Sequence, residues 1–278
     1  MYLPPNCNTL KNAKQPQIRL GIQGYPGTGK TWAALTFPNC VVINFDRGLG
    51  AHVGRDDVIE VPFYDADFVK TVYPMNAKNK RDAFTYWLET IGSKLEHEQT
   101  LVVDGITGIQ AAHEAWVKDN GSLMVSNKGK YDDFKPWNFK LEWLSYLMDL
   151  TKSLKCSVIW IAHETPAKEK DGTYTGKLRP LLSGQFADQL ASHCTDWFRQ
   201  HAIELPRENP KEEDLKSKYR LTLNEYLEHK KSLPRNTMYV WQTDGDDFAD
   251  CKCSSLVNFP PRILANYTAF DKYRRKSS

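Results

Sequence analysis

The chain has 278 residues, 41% of them apolar and 26% charged, with a formal net charge of +3. That balance fits a soluble globular protein with a sizeable core, and it is too close to neutral to argue for nucleic acid on charge alone. No run of about 18 apolar residues occurs, so no membrane-spanning helix is expected, and the opening "MYLPPNCNTLKNAKQ" lacks the basic-then-apolar pattern of a secretory signal.

Residues 1–15 read as an irregular arm. "QIRLGIQ" follows as a short buried strand ending at Gly24, and residues 30–37 as a helix stopping near Pro38. "VVINFD" is a second buried strand, from Val41 to Asp46, and "DVIEVPFY" a third. Phe84, Trp87, Leu88 and Ile91 recur at helical spacing, so the segment around them is a helix. "TLVVD" is a β-branched strand ending at Asp104, with the helix "ITGIQAAHEAWVKDN" behind it. "GSLMVSNKGKYDDFK" has no period and reads as a long loop. "PWNFKLEWLSYLMDLTKSL" has proline at its start and an apolar stripe of Trp137, Leu141, Leu144, Leu147 and Met148, the pattern of an amphipathic helix. "CSVIWIAH" is again a buried strand. The Asp171–Gly172 pair beyond it, between alternating segments, signals a hairpin. A short helix "GQFADQLASHC", a strand "TDWFRQHAI", a charged helical insertion at about 204–233 and a last strand "TMYVWQT" complete the order. The end, 256–278, reads as a basic tail. Buried strands alternating with amphipathic helices predict an α/β fold with a mostly parallel sheet. The cysteines, Cys7, Cys40, Cys156, Cys194, Cys251 and Cys253, contain no C-x-x-C pair and no zinc spacing, and are read as reduced thiols of a cytosolic protein.

"GYPGTGKTW", Gly24–Trp32, holds the chemistry. Gly24, Gly29, Lys30 and Thr31 satisfy G-x-x-x-x-G-K-[ST]. Glycines allow the tight bend that turns backbone N–H groups towards phosphate oxygens, with Tyr25, Pro26, Gly27 and Thr28 supplying the rest of the loop and Trp32 the first turn beyond it. Lys30 brings a mobile positive charge to the terminal phosphates, and the Thr31 hydroxyl suits Mg²⁺. Asp104, at the end of a buried strand, is a Mg²⁺-orienting carboxylate or a helix cap. Asp46 either orients the attacking water or is a turn carboxylate. His163 and Glu164, at a third strand end, either sense the γ-phosphate or are structural.

"GYPGTGKT", "LVVDGIT" and "VIWIAHE" together resemble the RecA-type P-loop ATPases, and most closely the phage-encoded AAA-domain ATPases of single-strand annealing and recombination. The resemblance spans about residues 16–255. It implies a RecA-like core with helices on both faces of the sheet, ATP and Mg²⁺ as ligands, and a homo-oligomeric ring or filament. It also implies action in a host cytoplasm beside phage or host replication and recombination proteins. Single-stranded DNA is the implied partner. The family's DNA loops correspond to 126–135 and 168–179, where Lys128, Lys130, Lys168, Lys170, Lys177 and Arg179 match backbone phosphates and Tyr131, Phe134 or Tyr174 match unpaired bases. An ordinary solvated loop is the other reading of each segment. Lys252 corresponds to the finger that completes a neighbour's site, although Ser254 stands where that family has arginine, and Arg47 and Gly48 stand where a glutamate is usual. Two other functions fit the motifs: a DNA-translocating motor of the helicase or packaging kind, and a nucleotide-bound adaptor that never turns over.

Overall fold

A computed structural model describes residues 17–72, 79–127, 129–169, 171–182, 186–204, 211–219, 222–232, 237–247, 249–256 and 258–274. The arm 1–15 and the residues Lys128 and Lys170 lie outside them, as do parts of the insertion and the last four residues.

In chain order the elements are β1 (Arg19–Gly24), α1 (Lys30–Ala34), β2 (Cys40–Asn44), β3 (Val58–Pro62), α2 (Ala66–Val72), α3 (Lys80–Thr90), β4 (Thr100–Asp104), α4 (Ile106–Asp119) and α5 (Lys135–Ser153). There follow β5 (Ser157–Lys168), β6 (Tyr174–Pro180), α6 (Phe186–Gln189), β7 (Asp196–Glu204), α7 (Glu212–Asp214), α8 (Leu223–Ser232), β8 (Thr237–Gln242), β9 (Arg262–Leu264) and α9 (Tyr267–Tyr273). The sheet runs β3-β2-β4-β5-β1-β7-β8-β9, with β6 on the extension of β5. From β3 through β7 every pairing on that path is parallel, and β8 and β9 are antiparallel. The expected mostly parallel sheet flanked by helices, with a hairpin and a helical insertion, is what the chain forms.

The central strands β2 and β4 are buried at every residue, as strands covered on both faces must be. Alternate side chains feed two cores. Ile43, Val103, Val158 and Trp160 meet Phe84, Ile109, Leu144 and Leu147 of α3, α4 and α5 on one face. On the other, Leu20, Ile22, Val42 and Ile161 meet Ala33, Phe37, Trp241 and Phe270. In α5 the proline falls in the first turn, and the buried stripe is Trp143, Leu144, Leu147 and Met148. Trp137, expected in that stripe, is 40% exposed and lies under the Lys140 ammonium, 3.9 Å from the ring centre. Ile91, expected on the buried face of α3, is the residue that caps the helix and is half out of the core.

Two expectations change. Residues 30–37 form a shorter helix, ended at Ala34 by backbone turns at Thr36 and Phe37. The basic tail is not a tail as far as residue 274: β9 adds to the sheet beside β8, and α9 buries Phe270 against Phe37, Phe198 and Trp241. Apolar burial sets that placement; Arg262 and Lys272 are exposed, and Arg274 is half-buried. The insertion is likewise anchored, since Leu215 and Tyr226 pack on Met238 and Val240 of β8.

Candidate nucleotide site

Strand register brings the expected residues to one edge. Gly24 at the end of β1 lies opposite His163 of β5, and Asp104 at the end of β4 lies between Asn44 of β2 and Ile161 of β5. Ligands of open α/β sheets collect at this carboxyl edge. Between Gly24 and α1 the chain makes a tight loop, closed by the Thr28 N–H (3.3 Å) and hydroxyl (2.8 Å) donating to the Tyr25 carbonyl. Gly29 has φ 77°, and a Cβ there would lie 2.7 Å from the Tyr239 ring, so no other residue fits.

Lys30 is buried inside this loop. Its ammonium donates to the carbonyls of Gly24 and Tyr25, both at 2.8 Å, and stands 3.3 Å from His163 Nδ1. Burial lowers its pKa to about 8, against the opposing pull of Asp104 and Glu164. Next to it the Thr31 hydroxyl donates to Asp104 Oδ2 at 2.7 Å. Burial raises the Asp104 pKa. The Thr31 hydrogen bond and Lys30 oppose that shift, and Asp46 adds to it. Asp104 is therefore a buried carboxylate short of positive charge. Oxygen donors of this kind suit Mg²⁺, which takes one or two carboxylates and completes its shell with phosphates and water. Among the described residues no cluster of three or more His, Cys, Asp or Glu side chains offers a metal site built from protein alone.

Asp46 reaches over the same edge from beyond β2. Its carboxylate lies where a Cβ on Gly105 would be, 2.5 Å away, which explains a glycine with φ 101° directly after Asp104. Partial burial raises its pKa, with His163 and Lys80 pulling the other way. His163, pushed down by burial and by Lys30, stays mostly neutral near pH 7. Glu164 is engaged elsewhere: Arg199 of β7 grips it with two hydrogen bonds, 2.9 and 3.0 Å, and both side chains are largely buried. Replacing Arg199 by alanine strands that carboxylate and is expected to cost about 3–5 kcal/mol in denaturant unfolding.

Residues 17–199, more than half of the chain, match the AAA domain family (AAA_24). The chain belongs to that family. This AAA domain is also similar to two solved structures. One is the RadB recombinase, at 15% identity and a TM-score of 0.35, covering 70% of this chain and 78% of that one. The other is the assembled ATPase EscN of the enteropathogenic E. coli type III secretion system, at 13% and 0.34, covering 66% and 43%. A comparison with curated protein sequences finds no match.

Of the remaining expected residues of the AAA domain, the basic residues beyond Lys30 lie away from the loop. Lys252 pairs by backbone with Trp197 and donates its ammonium to the Cys194 carbonyl at 2.7 Å. That is the amino end of β7, opposite the phosphate loop, so Lys252 does not join Lys30 in its own chain. Lys130, Tyr131 and Phe134 are exposed in the segment between α4 and α5, which is partly ordered by a bridge between Val125 and Tyr131. Lys168, Tyr174 and Lys177 are exposed on the β5–β6 hairpin, with Lys168 4.8 Å above the Tyr174 ring, whereas Arg179 is half-buried. Because β5 continues five residues past His163, this hairpin rises beyond the edge that holds the loop. Trp32 packs on Tyr239, 5.8 Å between rings, and Tyr25 is 43% exposed at the loop's rim. The string Asn79-Lys80-Arg81-Asp82 has the N-K-x-D spelling of a guanine reader, but its ends bind each other as the cap of α3, through Asp82 N–H to Asn79 Oδ1 (2.9 Å) and Asn79 Nδ2 to Asp82 Oδ2 (3.0 Å). Arg199 was not marked by any motif, since its partner Glu164 is 35 positions away.

Proposed function

We propose that this AAA domain binds ATP with Mg²⁺ at the β1–α1 corner and hydrolyses it, and that the nucleotide state controls binding of single-stranded DNA. The observation that carries the first part is the 2.7 Å hydrogen bond from Thr31 to Asp104 beside the buried Lys30. The residue that caps α4 is Gly105, not Asp104.

The loop amides cradle the phosphates, and Lys30 exchanges its carbonyl partners for terminal phosphate oxygens. Thr31 and Asp104 would hold the metal on its protein side. When bound, Mg²⁺ supplies charge that offsets the triphosphate as negative charge moves to the leaving oxygen. Asp46 orients the attacking water, and neutral His163 hydrogen-bonds near the γ-phosphate position. Glu164 acts with Arg199 as a fixed pair between β5 and β7. Positioning and charge stabilisation account for the rate, as in other phosphoryl transfers.

Support for the DNA reading comes from exposed aromatic rings beside lysines, in 126–135 and on the hairpin. Tyr131 and Tyr174 offer stacking faces, and Lys130, Lys168 and Lys177 offer charge for the backbone. Steady-state ATP turnover with and without single-stranded DNA tests this. Turnover stimulated by DNA, without strand displacement, is the expected result. Stimulated turnover accompanied by translocation favours a motor. Absence of turnover despite tight ATP binding favours an adaptor and overturns the hydrolytic reading.

A further inference from the structure

A loop that offers N–H groups to phosphate must turn its carbonyls outward, and outward carbonyls need donors. Three carbonyls of this loop have them. Lys30 serves Gly24 and Tyr25. The third, Thr28, is served from outside the matched family segment: Gln200 of β7 donates Nε2–H to Thr28 O at 2.7 Å. Gln200 is 1% exposed, and its other end accepts from the indole N–H of Trp241 at 2.9 Å. Trp241 sits directly across from Gln200 in the β7–β8 ladder. An indole nitrogen only donates, so Oε1 must face Trp241 and the amide nitrogen must face Thr28. The side chain therefore has one orientation.

From this geometry we infer that Gln200 is a positioning residue for the phosphate loop, held in place by Trp241. A trans peptide is planar, with C=O and N–H pointing opposite ways. Fixing Thr28 O towards Gln200 therefore fixes the Gly29 N–H away from it, out of the sheet. The Gln200 carbonyl also approaches Gly24, 2.7 Å from where a Cβ would be, and Tyr239 lies beneath Gly29. β7 and β8 thus form the floor against which the loop is set. Trp241 in turn packs on Phe37, Phe198 and Phe270, so the floor is continuous with the C-terminal helix.

The inference rests on the ATP-site reading, and its test has one arm that needs no nucleotide. Equilibrium binding of Mg–ATP to the full chain is measured for wild type, Gln200→Met, Gln200→Glu, Trp241→Phe and the double variant Gln200→Met with Trp241→Phe, beside denaturant unfolding of each. Gln200→Glu matches the native size and still accepts from Trp241 but turns a carboxylate oxygen towards the Thr28 carbonyl, whereas Gln200→Met removes the donor without adding a charge, so the two remove the same hydrogen bond in different ways. Both Gln200 variants are expected to bind about tenfold more weakly or worse, because the part-buried Thr28 carbonyl loses its partner. Trp241→Phe is expected to weaken binding less, and to add nothing further once Gln200 is methionine. Without nucleotide, the Gly29 amide resonance is expected to broaden in Gln200→Glu while resonances of β2 and β4 stay sharp. Wild-type binding with unchanged affinity in both Gln200 variants overturns the positioning role and leaves the ATP site standing. Failure of wild type to bind ATP overturns the site reading, and the Gly29 resonance then decides the loop-positioning claim alone: broadening upholds it and an unchanged signal overturns it.

Discussion

Lys30→Ala is expected to abolish ATP turnover, by about 10³-fold or more, while the chain stays folded. The lysine supplies charge at the terminal phosphates, and losing one preorganised donor at a reacting centre typically costs about 10²–10³ in rate. Here the same side chain also organises the loop through Gly24 and Tyr25, so the loss is expected at the upper end. Stability should change little, for a reason that can be checked. Burial lowers the Lys30 pKa from 10.5 to about 8. Between those values the unfolded chain holds a proton that the folded chain has released, so this group's contribution to stability rises with pH across that window. Below about pH 8 the folded chain carries the full cost of a buried ammonium, and alanine removes that cost along with the hydrogen bonds. Denaturant unfolding of wild type should therefore show a gain from pH 8 towards 10 that is missing in Lys30→Ala. Retained turnover in the variant would refute the assignment of the loop.

Asp104→Asn is expected to reduce turnover by about 10²–10³-fold and, in the same protein, to raise the stability of the nucleotide-free chain. Asparagine keeps the acceptor for Thr31 but not the charge. The Asp104 pKa is raised, chiefly by burial. Between the unfolded and folded values the native state binds more protons, so stability falls as pH rises through that window. Wild type should then be more stable in mild acid than near neutrality by this group's share, and the asparagine variant should lack that slope. Gained stability with lost activity is the pattern of a charge kept for function. Turnover close to wild type in Asp104→Asn would remove the carboxylate from the mechanism.

Much of this arrangement is legible from residue types alone. Uninterrupted apolar runs at 41–43, 101–103 and 158–162, rich in β-branched residues, read as buried strands, and each is followed by a polar residue, Asn44, Asp104 or His163, at the ligand edge. The Gly-Lys-Thr run has one chemical use at a strand-to-helix corner. The Asp171–Gly172 turn gave the hairpin, with Gly172 at φ 88° as such turns require. What escaped the sequence is carried by long-range partners. Arg199 and Gln200 look like ordinary polar residues of an alternating strand until β1 is placed beside β7. β9 is three residues long, below what periodicity can register, and α9 is only seven residues long and runs into a basic stretch. Lys252 is matched to a finger by the family resemblance alone; its backbone pairs with Trp197 at the end of β7 away from the phosphate loop, and a finger role towards a neighbouring copy stands as a proposal.

The central claim is that Thr31 and Asp104 steady a metal on a triphosphate held by the loop. Its most direct test is calorimetric binding of ATP to wild type and Asp104→Asn, each with Mg²⁺ and with a chelator. Tighter binding with Mg²⁺ in wild type, and the same affinity with or without Mg²⁺ in the variant, is the predicted result. An equal Mg²⁺ effect in both proteins, or no ATP binding by wild type, would contradict it.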